Sequence, residues 1–143
     1  VKFSNNAKGG SKMVKIPLAL TCGLILFWCA TGYALEKSEA VKAVIGESEN
    51  QGFKGMEYVS CAIRNRGTLK GVYGLHNDRV THKRYSKKIY AQAQKAWEQS
   101  AWSTVCRDIQ GAKDWENTQA FGLPYWAKNM KIVFIYKAHR FFK

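Results

Sequence analysis

Two stretches of helical hydrophobic period, separated by a few breaker residues, constrain this chain more than anything else in it. Leu35, Val41, Val44 and Ile45 recur at helical spacing, and Met56, Val59, Ala62 and Ile63 do the same on a second stretch. Asn50, Gly52 and Gly55 break the period between them. The pattern predicts one helix from about Ser38, with the serine hydroxyl as its cap, to about Glu47, and a second from about Lys54 to Asn65 with Gly67 as its C-cap. Glu47 therefore ends a helix that packs on another. Partial desolvation there raises a carboxyl pKa and suits the group to give up a proton near neutral pH. A solvated helix-end carboxylate is the simpler reading of the local pattern.

The N-terminal part reads as an export signal. Met13-Val14-Lys15 precedes an apolar run from Ile16 to Ala30 and the small-residue stretch Thr31-Gly32-Tyr33-Ala34, which correspond to its charged, apolar and cleavage regions. The run is about 15 residues, short of the roughly 20 that span a bilayer. Cleavage after Ala34 is expected, so the membrane is a partner only during export. Cys22 and Cys29 follow Thr21 and Trp28, which does not fit a lipoprotein cleavage site, and residues 1–12 read as an extension with no assigned structure. Residues 1–34 are thus expected to be extension and signal, and residues 35–143 one secreted or periplasmic domain, a monomer.

Lys and Arg total 23 against 10 Asp and Glu. The four lysines ahead of Leu35 leave with the signal, so the net charge falls from +13 to +9, which favours an anionic partner or surface. Arg64-Asn65-Arg66-Gly67 and the Lys83-Arg84, Lys87-Lys88 pairs are suited to phosphates, yet no nucleic-acid-binding signature accompanies them. Export also separates the chain from most nucleic acid, which is not expected as a partner; a basic face approaching an anionic wall is the simpler account. Cys61 and Cys106, the two cysteines that remain, form either one disulfide or two buried thiols.

Further along, Thr68 to Arg84 keeps no period and reads as a long connecting loop. Ser86 caps an amphipathic helix with Ile89, Ala93, Ala96, Trp97 and Ser100 on one face, and Ala101 to Ile109 continues or restarts it. Trp97 and Trp102 are expected in the core. Asp114 to Asn117 and Phe121 to Trp126 read as aromatic-rich irregular chain, and Lys131 to Tyr136 as a short strand.

Glycoside cleavage needs a proton donor and something to meet the oxocarbenium-like centre. Glu47 is the candidate acid. Glu49 would point to the opposite side of a continuing helix, and nothing in the spacing chooses among Asp78, Asp114 and Glu116 as partner. Tyr73, Trp115, Tyr125 and Trp126 offer faces for sugar rings, with core filling the alternative. His76, His82 and His139 have no zinc-site companions and HExxH is missing, so neither metal nor cofactor is expected.

In order along the chain, Val44-Ile45-Gly46-Glu47-Ser48, Phe53-Lys54-Gly55, Asn65-Arg66, Gly111-Ala112-Lys113-Asp114-Trp115, Pro124-Tyr125-Trp126 and His139-Arg140-Phe141-Phe142 resemble the motifs of the SleB-type cell wall hydrolases, the spore-cortex-lytic enzymes and their relatives. The resemblance implies a lysozyme-like, mainly α domain (α+β) with a short C-terminal β element. It implies cleavage of peptidoglycan glycan strands between N-acetylmuramic acid and N-acetylglucosamine, with Glu47 as the acid. Family members are generally lytic transglycosylases, in which the C6 hydroxyl closes on C1 and no second carboxylate is required. Tyr73, Trp115, Glu116, Asn117, Tyr125 and Trp126 are the expected substrate contacts. Asp114, Glu49 and Gln51 depart from the family pattern on the substrate side. A basic peptidoglycan-binding protein of the same fold without catalysis is the alternative.

Overall fold

The computed structural model describes residues 35–143, and the expected signal and extension lie outside the described residues. Helix α1 spans Lys37–Ser48. Its cap is Glu36 instead of Ser38. The Glu36 carboxylate accepts the backbone N–H groups of Ser38 at 3.1 Å and Glu39 at 2.8 Å, and the Ser38 hydroxyl donates to it at 2.6 Å. A charged oxygen one residue ahead of the helix meets its free N–H groups and the positive end of its dipole together. A single 3-10 turn, Glu49–Gln51, leads into α2, Gly52–Arg66, longer at both ends than the periodicity implies. Gly67 closes α2 in the left-handed conformation, at φ 72°, as expected of a C-cap glycine.

The core lies where α1, α2 and α4 (Lys87–Gln99) meet. Ser86 caps α4 as predicted, its hydroxyl accepting the Ile89 N–H at 3.2 Å, and Ala93, Ala96, Trp97 and Ser100 are buried. Arg64 of α2 then closes the far end of α4. Its guanidinium donates to the Trp97 carbonyl and the Ser100 hydroxyl, both at 2.7 Å, and stacks 4.0 Å from the Trp97 ring centre. The Trp97 carbonyl at the helix end is thereby satisfied.

After α4 the helix does not continue but restarts, and only over Val105–Asp108, as α5; Trp102 is 76% exposed instead of filling the core. The reason is tertiary. Cys61 and Cys106 form a disulfide with their Cα atoms 5.3 Å apart, and the Tyr58 hydroxyl donates to Asp108 Oδ2 at 2.8 Å. The chain turns over residues 100–104 to bring α5 onto α2, and Trp102 sits on the outside of that turn.

The loop from Thr68 is partly regular too: a 3-10 turn at Tyr73–His76 lies across α1, and α3, Asp78–Thr81, follows with Asn77 as its cap. Asp114–Asn117, read as irregular, is strand β1. It pairs with β3, His139–Phe142, which pairs in turn with β2, Ile132–Tyr136, in a three-stranded antiparallel sheet ordered β1-β3-β2. Trp115 stands opposite Phe141, Glu116 opposite Arg140 and Asn117 opposite His139. A short polar strand such as β1 has no periodic signature; its partner lies more than 20 residues away and supplies the ladder. Between β1 and β2 run α6, Thr118–Phe121, and a 3-10 turn at Tyr125–Ala127. Phe141 joins the helical core beside Tyr58, whereas Phe142, equally buried, is covered by Trp126 at 5.4 Å. The fold is mainly helical with a small C-terminal sheet, as the sequence implies.

Candidate active site

Glu47 occupies the last turn of α1, and its surroundings begin with two glycines. The 3-10 turn at Tyr73–His76 crosses the end of α1 so closely that a Cβ on Gly74 would stand 2.7 Å from both the Cγ and the backbone nitrogen of Glu47. Gly46 faces the Gly74 backbone with as little room. This approach brings the Gly74 N–H to Glu47 Oε1 at 2.6 Å. From the other side β1 delivers Trp115, whose indole Nε1–H donates to Glu47 Oε2 at 3.0 Å. Both carboxyl oxygens are therefore oriented by donors that are themselves immobilised, one in backbone and one in a buried ring.

The electrostatics are balanced between opposing effects. Burial pushes the Glu47 pKa above the ordinary carboxyl value; the Gly74 and Trp115 donors pull it back, the Glu116 charge raises it further and Arg66 lowers it. Burial wins, so the expectation of a raised carboxyl holds in direction. His139 is buried beside the Glu47 backbone carbonyl, and burial lowers its pKa, partly offset by that contact, which leaves the ring neutral near pH 7.

A cavity of about 1060 Å³ opens over Glu47, large enough for an extended ligand. Of the expected contacts, Tyr73, Trp115, Glu116, Asn117 and Trp126 line it together with Glu47. Tyr125 does not: it is 85% exposed, outside the lining, under the Lys128 ammonium at 4.9 Å. The 3-10 turn that places Trp126 over Phe142 turns its neighbour Tyr125 outward. Trp115 is both core residue and site residue, so its two alternatives coexist in one side chain.

The carboxylates sort themselves in a way that the spacing could not. Glu49 does line the cavity with Glu47, contrary to the opposed orientation expected, because the helix gives way to a 3-10 turn at that residue. It is held by Arg79 at 2.8 Å. Asp114 also lines the cavity and pairs with Arg66 at 3.4 Å. Asp78 is outside it, near His82 and Arg84. Asn65 donates to the Ala112 carbonyl at 3.0 Å, so the Asn65-Arg66 pair at the end of α2 ties down the segment that leads into β1.

Several cavity residues were not among the expected substrate contacts: Gly74, Arg66, Arg79, His76, Asn77 and Phe121. Gly74 acts through its backbone N–H, which leaves no mark in a side-chain pattern; the available signal was a glycine in a long loop paired with a glycine before Glu47. The basic residues Lys83, Arg84, Lys87 and Lys88 line no part of the cavity. Among the described residues, no group of three or more His, Cys, Asp and Glu is placed to hold a metal ion.

Compared with protein-family models, with curated proteins and with solved structures, the chain gave no match.

Proposed function

We propose that this chain is a peptidoglycan glycan-strand hydrolase of lysozyme-like fold, related to the SleB-type cell wall hydrolases and acting as a lytic transglycosylase. The observation that carries the reading is Glu47: a half-buried carboxyl with raised pKa, oriented through both oxygens by Gly74 and Trp115, in the lining of a large cavity. That is the equipment of a general acid. The glycan lies along the cavity with Tyr73 and Trp126 against its sugar rings. Glu47 protonates the glycosidic oxygen between N-acetylmuramic acid and N-acetylglucosamine, and the bond to C1 breaks. The C6 hydroxyl of the muramoyl residue closes on C1 and returns its proton to Glu47, leaving a 1,6-anhydro end. Net positive charge favours approach to an anionic wall.

The test is muropeptide release from purified sacculi, with products identified by mass spectrometry. Wild-type protein should release 1,6-anhydro muropeptides, and Glu47→Gln should release none while keeping its circular dichroism spectrum. Wild-type turnover in Glu47→Gln would remove Glu47 from the mechanism. Reducing ends in place of anhydro ends would make the protein a muramidase, and cosedimentation with sacculi without any product would make it a wall-binding protein.

A further inference from the structure

Cleavage through an oxocarbenium-like centre places positive charge on the sugar, and a site that meets it with a fixed negative charge lowers the barrier. Four carboxylates line the cavity: Glu47, Glu49, Asp114 and Glu116. Glu47 is committed to the proton. Glu49 is neutralised by Arg79 and Asp114 by Arg66, so each presents an ion pair to a ligand in place of a charge. Glu116 differs. No Lys, Arg or His nitrogen of the described residues lies within ion-pairing distance of it, although Arg140 is its cross-strand neighbour. Its Oε1 accepts the Asn117 N–H at 2.8 Å, which fixes the side chain and leaves Oε2 without a hydrogen-bond partner among the described residues.

Its position follows from β1. Glu116 is the residue after Trp115, whose indole is bonded to Glu47, so the strand that orients the acid also carries the second carboxylate into the same cavity. The Glu116 charge is near enough to raise the Glu47 pKa. We propose that Glu116 is a second catalytic residue, a carboxylate that faces the positive charge developing on the sugar as the glycosidic bond breaks. It forms no bond and takes no proton: the bond from C1 to the leaving oxygen breaks, the bond from C1 to O6 forms, and the proton leaves Glu47 and returns to it. The inference rests on the glycan-strand reading above.

Glu116→Gln keeps an oxygen for the Asn117 N–H and removes only the charge. On sacculi its kcat should fall about 100-fold with KM within about twofold of wild type, since the interaction exists in the transition state alone. Glu116→Asp, which keeps the charge on a shorter arm, should retain at least about tenfold more activity than the Gln variant, and both should melt within a few degrees of wild type. A Gln variant with wild-type kcat, a change confined to KM, or an Asp variant no better than Gln overturns the proposal. If the Gln variant does not fold, an Asp variant whose kcat falls 100-fold or more does so too. Wild type active and Glu47→Gln inactive with Glu116→Gln at full kcat removes this inference alone; wild type without product removes the glycan-strand reading and this with it.

Discussion

Substituting Gly74 by alanine tests the close approach on which the Glu47 environment depends. The new Cβ would stand 2.7 Å from Glu47 Cγ, 2.7 Å from the Glu47 backbone nitrogen and 2.8 Å from the Gly46 carbonyl carbon. Comfortable carbon contacts begin at roughly 3.5 Å, so the Tyr73–His76 turn and the end of α1 must separate by roughly 0.8 Å. Two of the three obstructing atoms are backbone, so a rotamer change cannot relieve the clash. The overpacking costs about 1–3 kcal/mol. The hydrogen bond from the Gly74 N–H to Oε1, now at 2.6 Å, lengthens or breaks, and a bond to a charged group contributes about 1.5–3 kcal/mol. Relaxation of the exposed turn keeps the total below the sum, so a loss of about 3 kcal/mol in urea denaturation is expected. Gly67→Ala is the control: nothing lies within 4 Å of its Cβ but its φ is +72°, so it loses about 1 kcal/mol through backbone strain with Glu47 untouched. Carboxyl-carbon NMR gives the second readout. Losing the Gly74 donor removes a stabiliser of the charged form, so Glu47 titrates at higher pH in Gly74→Ala and not in Gly67→Ala. A Gly74→Ala protein within 0.5 kcal/mol of wild type, by the ordinary scale of surface substitutions of about that size, with unchanged Glu47 titration, would refute the reasoning.

Trp115→Phe keeps a ring but removes the indole donor to Oε2, so the Glu47 titration should again move upward; a downward move would mean that the indole does not stabilise the carboxylate. The folded Glu47 pKa lies above its ordinary value of 4.5, so its stabilising contribution is complete below that pH and is lost as the pH rises through the folded value. Melting curves of wild type relative to Glu47→Gln should therefore show the wild-type advantage greatest at low pH and declining toward neutrality; a flat or rising difference contradicts the raised pKa. Replacing Cys61 and Cys106 together by alanine opens a link across 45 positions, for which chain entropy predicts a loss of about 4 kcal/mol. Denaturant titrations of the two proteins without reductant, where only the wild type keeps the link, should differ by about that amount, and a difference under about 1 kcal/mol would show the link to be incidental.

The helical framework was legible because its cause is local. α1, α2 and α4 bury stripes that recur every three or four residues, and Gly67 and Ser86 end and begin helices through their own conformation and hydroxyl. The same logic identified Glu47 as a carboxylate at a packed helix end. It also erred where a nearer or stronger partner existed, as with Glu36 displacing Ser38 at the cap of α1.

What surrounds Glu47 was decided by contacts distant in the sequence. Gly74 lies 27 positions away and Trp115 lies 68 positions away, and β1 exists as a strand because β3 pairs with it. Trp102 faces solvent although its spacing fits an apolar stripe, because α5 is drawn onto α2 by the disulfide and by Tyr58. The sequence by itself therefore determined α1, α2 and α4, their order and the position of Glu47 at a helix end, since periodicity and capping act over a few residues. Only the tertiary structure decided which groups orient that acid and which cavity carboxylates stay unpaired, because hydrogen bonds and charge pairing depend on distances in space that neighbours along the chain do not specify.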